Sequence, residues 1–437
     1  MISEAQLLQK VTRRLIPFMF LLYIVSYLDR VNVSFASLQM NAALGFSAKI
    51  YALGAGIFFI GYFLFEVPSN LVLHRVGARL WMARILITWG IISSAMMFVK
   101  GTASFYALRF LLGIAEAGFF PGMILYLTYW YPTHARGRAV GRFMTATAVA
   151  SAIGGPLSGL LLELDGWHGL GGWQWLFLIE GVPAVVLGFI TFAYLPDGPK
   201  NATWLSNEEK KWIDVTLERE RQQTASDGQH SMSEAMRSSR VWTFAIIYFA
   251  IIMSFYGITF WLPQIVQGFS GVRAFLVGLI TTVPWIGATI GMILLSRNSD
   301  ASGERRWHVA LSAVGGAVGL IAAGLLQNPV LELAALSLAA AGIWGTLGPF
   351  WALASESLAG AGAAAGIALI NSVGNLGGFL GPYLIGWIRE RTGSFTLALI
   401  ALAIFPLLGA VITLSSRHAV SRLRSGAMDH RPIEDRR

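Results

Sequence analysis

The chain has 437 residues, of which 55% are hydrophobic and 13% are charged, and its mean hydropathy is +0.61. Soluble domains carry about 25% charged residues, so this composition excludes an ordinary soluble protein and indicates an integral membrane protein. The chain contains no cysteine, which excludes disulfides, thiolate catalysis and cysteine-ligated metals.

Twelve apolar runs follow one another along the chain. A transmembrane helix needs about 20 mostly apolar residues to cross about 30 Å of hydrocarbon. The first run is too long for a signal-peptide core and lacks a small-residue cleavage site, so we predict a retained helix. The predicted fold is all-α and integral to the membrane, with spans at residues 13–37, 50–73, 79–99, 103–126, 138–162, 174–195, 241–266, 275–296, 307–326, 330–353, 363–388 and 395–416.

The net charge of +9 reports topology rather than a nucleic-acid partner. Of the 32 Lys and Arg residues, 25 lie at the termini, in the even-numbered loops or in the ends of the spans that adjoin them, five lie in odd-numbered loops, and Arg30 and Arg109 lie deep inside spans. By the positive-inside rule, both termini are predicted to be cytoplasmic. We therefore expect a multi-pass protein of the bacterial cytoplasmic (inner) membrane.

Asp29 and Arg30 are adjacent inside the first span, in the stretch VSYLDRVNVSF. Each charge at mid-membrane costs about 2.5–3.5 kcal/mol unless it is paired or faces water. Neighbouring residues point about 100° apart around a helix, so each needs a partner elsewhere. The fourth span offers Arg109 and Glu116, which are two turns apart and therefore on nearly one face.

Two arginines and two carboxylates in one half of the chain suit an anionic substrate. The planar guanidinium group holds both oxygens of a carboxylate, so Arg30 and Arg109 are predicted to bind substrate. A carboxylate that loses its arginine to the substrate binds a proton more readily. Asp29 and Glu116 are therefore the predicted proton-coupling residues, with a purely structural ion network as the alternative.

Other polar side chains inside the spans are weaker candidates, because each alone is more often helix–helix glue or an interfacial anchor. Glu66 and Glu180 each precede a proline, and we predict that they satisfy backbone groups that the proline frees. The remaining predicted substrate-binding residues are Tyr27, Tyr62, Gln264, Trp351, Asn371 and Asn375.

One long polar segment, residues 196–240, divides the chain. Ser206 and Glu209 have the spacing of a capping box, which predicts a short charged helix on the cytoplasmic side. The predicted domains are a six-helix bundle at 1–195, this linker at 196–240, and a second six-helix bundle with a cytoplasmic tail at 241–437.

The two halves share landmarks at a constant offset. Gly77 in HRVG and Gly303 in DASG are 226 residues apart, as are Pro156 and Pro382. A constant offset indicates an internal duplication. Two repeated bundles around a midplane site form the architecture of secondary transporters.

Several stretches resemble the major facilitator superfamily, and within it the anion:cation symporter family of galactonate, tartrate, glucarate and phthalate carriers. The resemblance covers nearly all of residues 10–416. It implies that Arg30 and Arg109 bind the anion, that Asp29 and Glu116 are proton-linked, and that substrate contacts come from Tyr27, Tyr62, Trp351 and Asn371. The stretches are SYLDRVNVSFA, GYFLFEVPSNLVLHRVGAR, RFLLGIAEAGFFPGMILYLTYWYP, GERRWHVA and NSVGNLGGFLGPYLIGW.

Two positions depart from the pattern that the resemblance implies. His74 stands where the wider superfamily favours Asp, and Ala301 stands where family members usually carry a basic residue. Both lie at the expected cytoplasmic gate, so the departures concern gating rather than the substrate site.

We predict a proton-coupled symporter that imports an organic carboxylate, either a sugar acid, a tartrate-like acid or an aromatic acid, by alternating access. The alternative within transport is a proton-driven antiporter that exports a metabolite or drug, as the Gly155-Pro156 motif suggests. A membrane enzyme is disfavoured because the sequence has no Gly-x-Gly-x-x-Gly after a strand, no HExxH and no paired metal ligands. A sensor would need a larger output domain than the linker. We expect no cofactor, metal or nucleic-acid partner. We expect the protein to be a monomer in the bilayer.

Overall fold

The computed structural model describes residues 3–226, 232–358 and 363–416, and helices make up nearly all of this part of the chain. The first half, up to Tyr194, begins with a helix whose N-terminus is capped by Ser3 in a capping box with Gln6. The helices of this half are α1 (Glu4–Leu44), α2 (Ala48–Val76), α3 (Ala78–Ala95), α4 (Thr102–Glu116), α5 (Phe119–Thr128), α6 (Thr133–Met144), α7 (Ala146–Leu162) and α8 (Gly172–Tyr194).

The linker and the second half follow the same helical pattern. Short 3₁₀ turns at Met96–Phe98, Trp167–Gly169 and Pro199–Asn201 join some of the elements. The linker helices are α9 (Asn207–Ser226) and α10 (Met232–Arg237). The second half contains α11 (Ser239–Ser270), α12 (Ala274–Ser302), α13 (Arg306–Leu325), α14 (Pro329–Gly345), α15 (Leu347–Ser357), α16 (Ala363–Asn375), α17 (Gly377–Thr392) and α18 (Thr396–Ser415).

The predicted all-α membrane fold is confirmed. In the described part of the chain, 11 helices or consecutive helix pairs are long and apolar enough to cross a membrane. The remaining predicted span, 363–388, corresponds to α16 and α17, which follow each other across Leu376. Below, the terminal face is the end of the bundle where α1 begins and α18 ends, and the far face is the opposite end.

The helix bounds repeat the offset that the sequence motifs suggested. Helices α2 and α12 both contain 29 residues, and both their first and their last residues are 226 positions apart. We interpret the two halves as repeat equivalents on this basis. Across the boundary between the halves, α2 packs against α17 and α7 packs against α12. The two contacts are equivalent, because α2 corresponds to α12 and α7 corresponds to α17 in the repeat.

Glycines allow α7 and α12 to touch backbone to backbone. A Cβ atom on Gly278 would lie 2.1 Å from the carbonyl oxygen of Gly155, and one on Gly155 would lie 2.5 Å from that of Gly278. A Cβ on Gly386 of α17 would likewise lie 2.8 Å from the oxygen of Ala48 in α2. Small residues therefore close both cross-half contacts toward the far face.

Hydrogen bonds between the halves reinforce this far-face closure. The Tyr51 hydroxyl donates to the carbonyl oxygen of Phe260 at 2.6 Å. The Lys49 backbone N–H donates to the Glu390 carboxylate at 3.1 Å. All of these residues lie in the far-face portion of their helices, so the described structure is held together firmly at that end.

Replacing Gly278 with leucine should weaken the far-face closure. Overpacking a tight contact costs about 1–3 kcal/mol, so the ratio of closed to open molecules should fall about tenfold. Because the chain has no cysteine, Ser34→Cys would supply a single thiol, and Ser34 is buried beside Gly155 and Thr281. Its labelling by a maleimide should accelerate in the Gly278→Leu background.

The matched control for that experiment is Gly315→Leu in α13. A Cβ atom on Gly315 would meet no atom within 4 Å. This variant should leave the labelling rate unchanged. Equal labelling rates in the Gly278→Leu and parent proteins would show that the glycine contact does not maintain the closure.

The linker helix α9 begins where the sequence predicts it. Glu209 N–H donates to the Ser206 hydroxyl at 3.2 Å, and Ser206 N–H donates to the Glu209 carboxylate at 2.7 Å, which confirms the capping box. Lys10 donates to both Glu209 oxygens at 2.8 and 2.9 Å. Although burial alone would raise it, the bonds from Lys10 and Ser206 hold the pKa of Glu209 below its ordinary value. The linker is therefore anchored to the first half, next to α1.

His74 and Ala301 are the two positions expected at the cytoplasmic gate. The side chain of His74 lies outside the described residues, whereas Ala301 is exposed in the last turn of α12. Nearby, Arg305 donates to Asp300 at 2.6 Å and to Glu356 at 3.2 Å, and so ties α12 to α15 at the terminal face.

Candidate functional site

A break in the fourth span positions Glu116. Helix α4 ends at Glu116, and α5 begins at Phe119 after Gly118, whose φ of +85° is left-handed. A side chain at residue 118 would also meet Ser69, since a Cβ there would lie 2.4 Å from the Ser69 hydroxyl. Only glycine combines this backbone conformation with this close approach. Discontinuous membrane helices commonly form the binding sites of transporters.

Arg30 forms the ion pair at this break. Its Nε donates to Glu116 Oε1 at 3.1 Å, its Nη2 donates to the same oxygen, and the Ser26 hydroxyl donates there at 3.1 Å. The second oxygen, Glu116 Oε2, has no hydrogen-bond partner among the described residues. The Arg30 side chain is 12% exposed, whereas the Glu116 side chain is 1% exposed. The Arg30 side chain is therefore partly exposed, whereas its carboxylate partner is buried.

Two aromatic rings of α2 flank the Arg30 guanidinium group. The centroid of the Tyr62 ring lies 5.4 Å from the guanidinium carbon, and that of Phe58 lies 5.7 Å away. Both distances are within the range of cation–π attraction. The prediction that Tyr62 and Arg30 share a site is consistent with this geometry.

Arg109 is placed differently from Arg30. It is 0% exposed, and it donates to the carbonyl oxygens of Gly54 and Ala55, each at 3.1 Å. Helices α2 and α4 approach closely enough for these bonds because Gly113 has no Cβ, which would lie 2.0 Å from the Phe58 oxygen. This guanidinium group therefore binds α2 to α4 and does not reach solvent.

Asp29 finds its partners in the third span instead of the fourth. Trp89 Nε1 donates to Oδ2 at 2.7 Å, and the Ser93 hydroxyl donates to Oδ1 at 2.7 Å. Asn32 Nδ2 also donates to Oδ1, at 3.3 Å. The expectation that the fourth span would supply partners for both Asp29 and Arg30 is correct for Arg30 and wrong for Asp29. The two side chains diverge around α1, and the donors that face Asp29 among the described residues are all neutral.

The second half of the chain contacts α2 through an amide side chain and an aromatic ring. Asn371 Nδ2 of α16 donates to Glu66 Oε1 of α2 at 3.2 Å. Tyr256 of α11 packs against Phe59 of α2 with ring centroids 4.4 Å apart. Trp351 of α15 is partly exposed, and its ring centroid lies 4.8 Å from that of Tyr248. We name the central site as Ser26, Arg30, Tyr62, Glu66, Glu116 and Asn371.

Besides Arg109 and Trp351, three predicted substrate residues lie outside the central site. Tyr27 borders a cavity of about 20 Å³ between α1, α7, α11 and α12, which has room for about one water molecule. Gln264 borders a pocket of about 520 Å³ at the far face, where it accepts a hydrogen bond from Arg389 and donates to Ser37 at 2.8 Å. Asn375 lies one turn beyond Asn371 on α16 and is partly exposed.

The predicted structural roles of Glu66 and Glu180 are wrong in their details. Glu66 bonds the side chain of Asn371 across the halves, and Glu180 accepts from the Ser158 hydroxyl at 2.7 Å. Both of these bonds go to side chains and not to a backbone group that a proline frees. A usable signal existed for Glu66, because it lies four residues after Tyr62 and so on the same face of α2. Ser26 has the same relation to Arg30, whereas no sequence pattern singled out Tyr256.

Comparison with known proteins places the chain among transporters. The sequence profile of the Major Facilitator Superfamily matches residues 19–382. A relative named "Putative tartrate transporter" from Agrobacterium vitis is 49% identical over 94% of this chain and 94% of its own length. A relative named "Quinolone resistance transporter" from Acinetobacter baumannii is 44% identical, with the same 94% share of each chain.

A solved structure shares the fold at low sequence identity. It is a bacterial homologue of the human lysosomal transporter Spinster in an inward-facing, unoccupied conformation. The TM-score is 0.77 and the identity is 17%, and the match covers 96% of this chain and 98% of the other. This likeness supports the architecture of two helical bundles.

Proposed function

The chain belongs to the Major Facilitator Superfamily, and from this premise we propose that it imports an organic carboxylate together with protons. It is a multi-pass secondary transporter and not an enzyme. The proposal places it in the bacterial inner membrane, as a monomer with both termini in the cytoplasm.

The observation that carries the proposal is the Arg30–Glu116 pair. The cation is partly exposed, and a single Glu116 oxygen accepts the hydrogen bonds from Arg30 and Ser26. A substrate carboxylate that binds Arg30 would take over these interactions. Glu116 would then be buried without a counter-charge, and burial favours the protonated form of a carboxylate. Anion binding and proton binding would thus assist each other.

The balance of buried charge supports proton coupling. In the described spans, the buried charged residues all belong to the first half, and Arg30 is only slightly exposed. They comprise four acids and two bases, namely Asp29, Glu66, Glu116, Glu180, Arg30 and Arg109. A substrate anion would add further negative charge to a region with excess acid, so proton uptake is the natural compensation. Asp29, next to Arg30 in sequence, remains the second candidate for the coupled proton.

The substrate class follows from the site and from the relatives. One accessible guanidinium group with hydroxyl and amide groups nearby suits a hydroxylated carboxylic acid. The 49% identical relative that is named for tartrate supports this class. Trp351, Asn371 and Asn375 are kept as proposed substrate contacts from the second half, whereas Tyr27 and Gln264 are proposed to act at the closures around the site.

Uptake into proteoliposomes tests the proposal. With an inwardly directed proton gradient, we expect radiolabelled sugar acids or tartrate to accumulate, and the gradient should raise accumulation about tenfold over equilibrium, as a pH step of one unit permits for one coupled proton. Collapsing the gradient with a protonophore should abolish accumulation. Failure of every sugar acid, tartrate and aromatic acid to be taken up or to stabilise the purified protein would contradict the function.

Drug or metabolite export is the second candidate. The 44% identical relative named for quinolone resistance favours it, as does the aromatic surface of Phe255, Trp344 and Trp285 in the second half. The two functions differ in the direction of coupling. Accumulation driven by protons moving with the solute indicates import, whereas accumulation driven by protons moving against it indicates export.

A further inference from the structure

Glu66 forms a second pole of the central site. It lies one turn beyond Tyr62 on α2, and the Tyr62 ring contacts Arg30. Glu66 is 6% exposed, and its Oε1 accepts a hydrogen bond from Asn371 Nδ2 at 3.2 Å. Its other oxygen, Oε2, is buried and has no hydrogen-bond partner among the described residues. A carboxylate oxygen without a donor is an unsatisfied acceptor.

The carboxylate oxygen left free at this pole is an acceptor. Asn371 uses one N–H of its amide on Glu66, so its second N–H and its amide oxygen remain. Glu66 offers Oε2, and an ionised carboxylate accepts hydrogen bonds without donating any. A ligand that reaches Glu66 Oε2 would therefore be held there through its own donors, such as hydroxyl groups.

Among the described residues, no cation other than Arg30 belongs to the central site. Arg109 is fully buried and bonded to the carbonyl oxygens of Gly54 and Ala55. In the described part of the second half, no Lys or Arg is buried. A carboxylate placed beside Glu66 would meet a like charge instead, and like charges in contact disfavour binding strongly.

We propose that Glu66 is a specificity-determining residue that recognises the end of the substrate distant from Arg30. Glu66 favours a monocarboxylate that has a hydroxyl group at this distant end over the matching dicarboxylate. This inference rests on the proposed function, because it assumes that Arg30 holds a substrate carboxylate.

Threonate and tartrate test this assignment, because they differ at one end only, where threonate has a hydroxymethyl group and tartrate has a carboxylate. Their affinities for the purified full-length protein would be measured by calorimetry at pH 7.5, and gluconate and glucarate form a longer matched pair. The wild-type protein should prefer threonate. Glu66→Gln should shift the affinity ratio about tenfold toward tartrate, because it removes the repulsion and supplies an amide donor.

Two further variants make the test decisive. Glu180→Gln neutralises another buried carboxylate of the first half, which bonds Ser158, and should leave the ratio unchanged. Asn371→Asp adds a carboxylate at the same pole and should move the ratio in the opposite direction, so the test does not depend on the folding of Glu66→Gln.

The outcomes separate this inference from the proposed function. A wild-type preference for tartrate, or a ratio that neither Glu66→Gln nor Asn371→Asp changes, would overturn the role of Glu66 while leaving organic-anion transport intact. Absence of binding by every sugar acid, tartrate and aromatic acid tested would overturn both.

Discussion

Replacing Arg30 with alanine should lower the affinity for the transported anion at least about 100-fold, because removing one partner of a desolvated charge pair costs several kcal/mol. The Arg30 side chain is partly exposed, and Glu116, which also accepts a hydrogen bond from Ser26, already orients it. Calorimetric titration of the purified protein with the best substrate measures the effect. Arg30→Lys keeps the charge but loses the planar fork, so it should retain only part of the affinity.

Loss of folding must be separated from loss of binding in that experiment. Arg30→Ala leaves Glu116 buried without a counter-charge, a change that typically destabilises a protein by about 3–5 kcal/mol. The double variant Arg30→Ala/Glu116→Gln removes the stranded charge and should recover thermal stability without recovering binding. If the double variant binds the anion as tightly as wild type, Arg30 is not the anion-binding group.

Replacing Glu116 with glutamine should abolish proton-driven accumulation while leaving binding and exchange. The glutamine side chain still accepts from Arg30 and Ser26 but cannot release a proton. In proteoliposomes, accumulation against a gradient should fall to the equilibrium level, a loss of about tenfold for a pH step of one unit and one coupled proton. Exchange of labelled for unlabelled substrate should continue, because it needs no net proton movement.

Asp29→Asn tests the second candidate for the coupled proton in the same assay. Asp29 accepts from Trp89 and Ser93 and has no basic partner among the described residues, so its coupling role rests on its acidity alone. If Asp29→Asn also stops accumulation but keeps exchange, both acids are coupled to transport. Full concentrative uptake by Glu116→Gln would remove Glu116 from the coupling role.

The membrane architecture could be read from local sequence. Span positions depend on runs of about 20 apolar residues, and each such run is contiguous in the chain. The first helix, the capping box of Ser206 and Glu209, and the offset of 226 residues between α2 and α12 all follow from residues close together or regularly spaced. The candidate ion pair was partly readable too, because Glu116 stands on the correct span to meet Arg30.

The partners of the buried charges could not be read from local sequence. Arg109 bonds the carbonyl oxygens of α2 because Gly113 allows close approach to Phe58, and Asp29 turns to Trp89 because of its rotation around α1. Periodicity places side chains on a helix face but says nothing of the depth and rotation at which two helices meet.

The sequence by itself therefore determined that the chain crosses a membrane many times and which charged residues lie within its spans, and it predicted two related halves. These properties arise from hydropathy and from the spacing of residues along the sequence. Only the tertiary structure decided that Arg30 pairs with Glu116 and that Glu66 meets Asn371 across 305 residues of sequence. Such contacts depend on how packed helices are rotated and offset, and short-range packing by small residues such as Gly155 and Gly278 sets that arrangement.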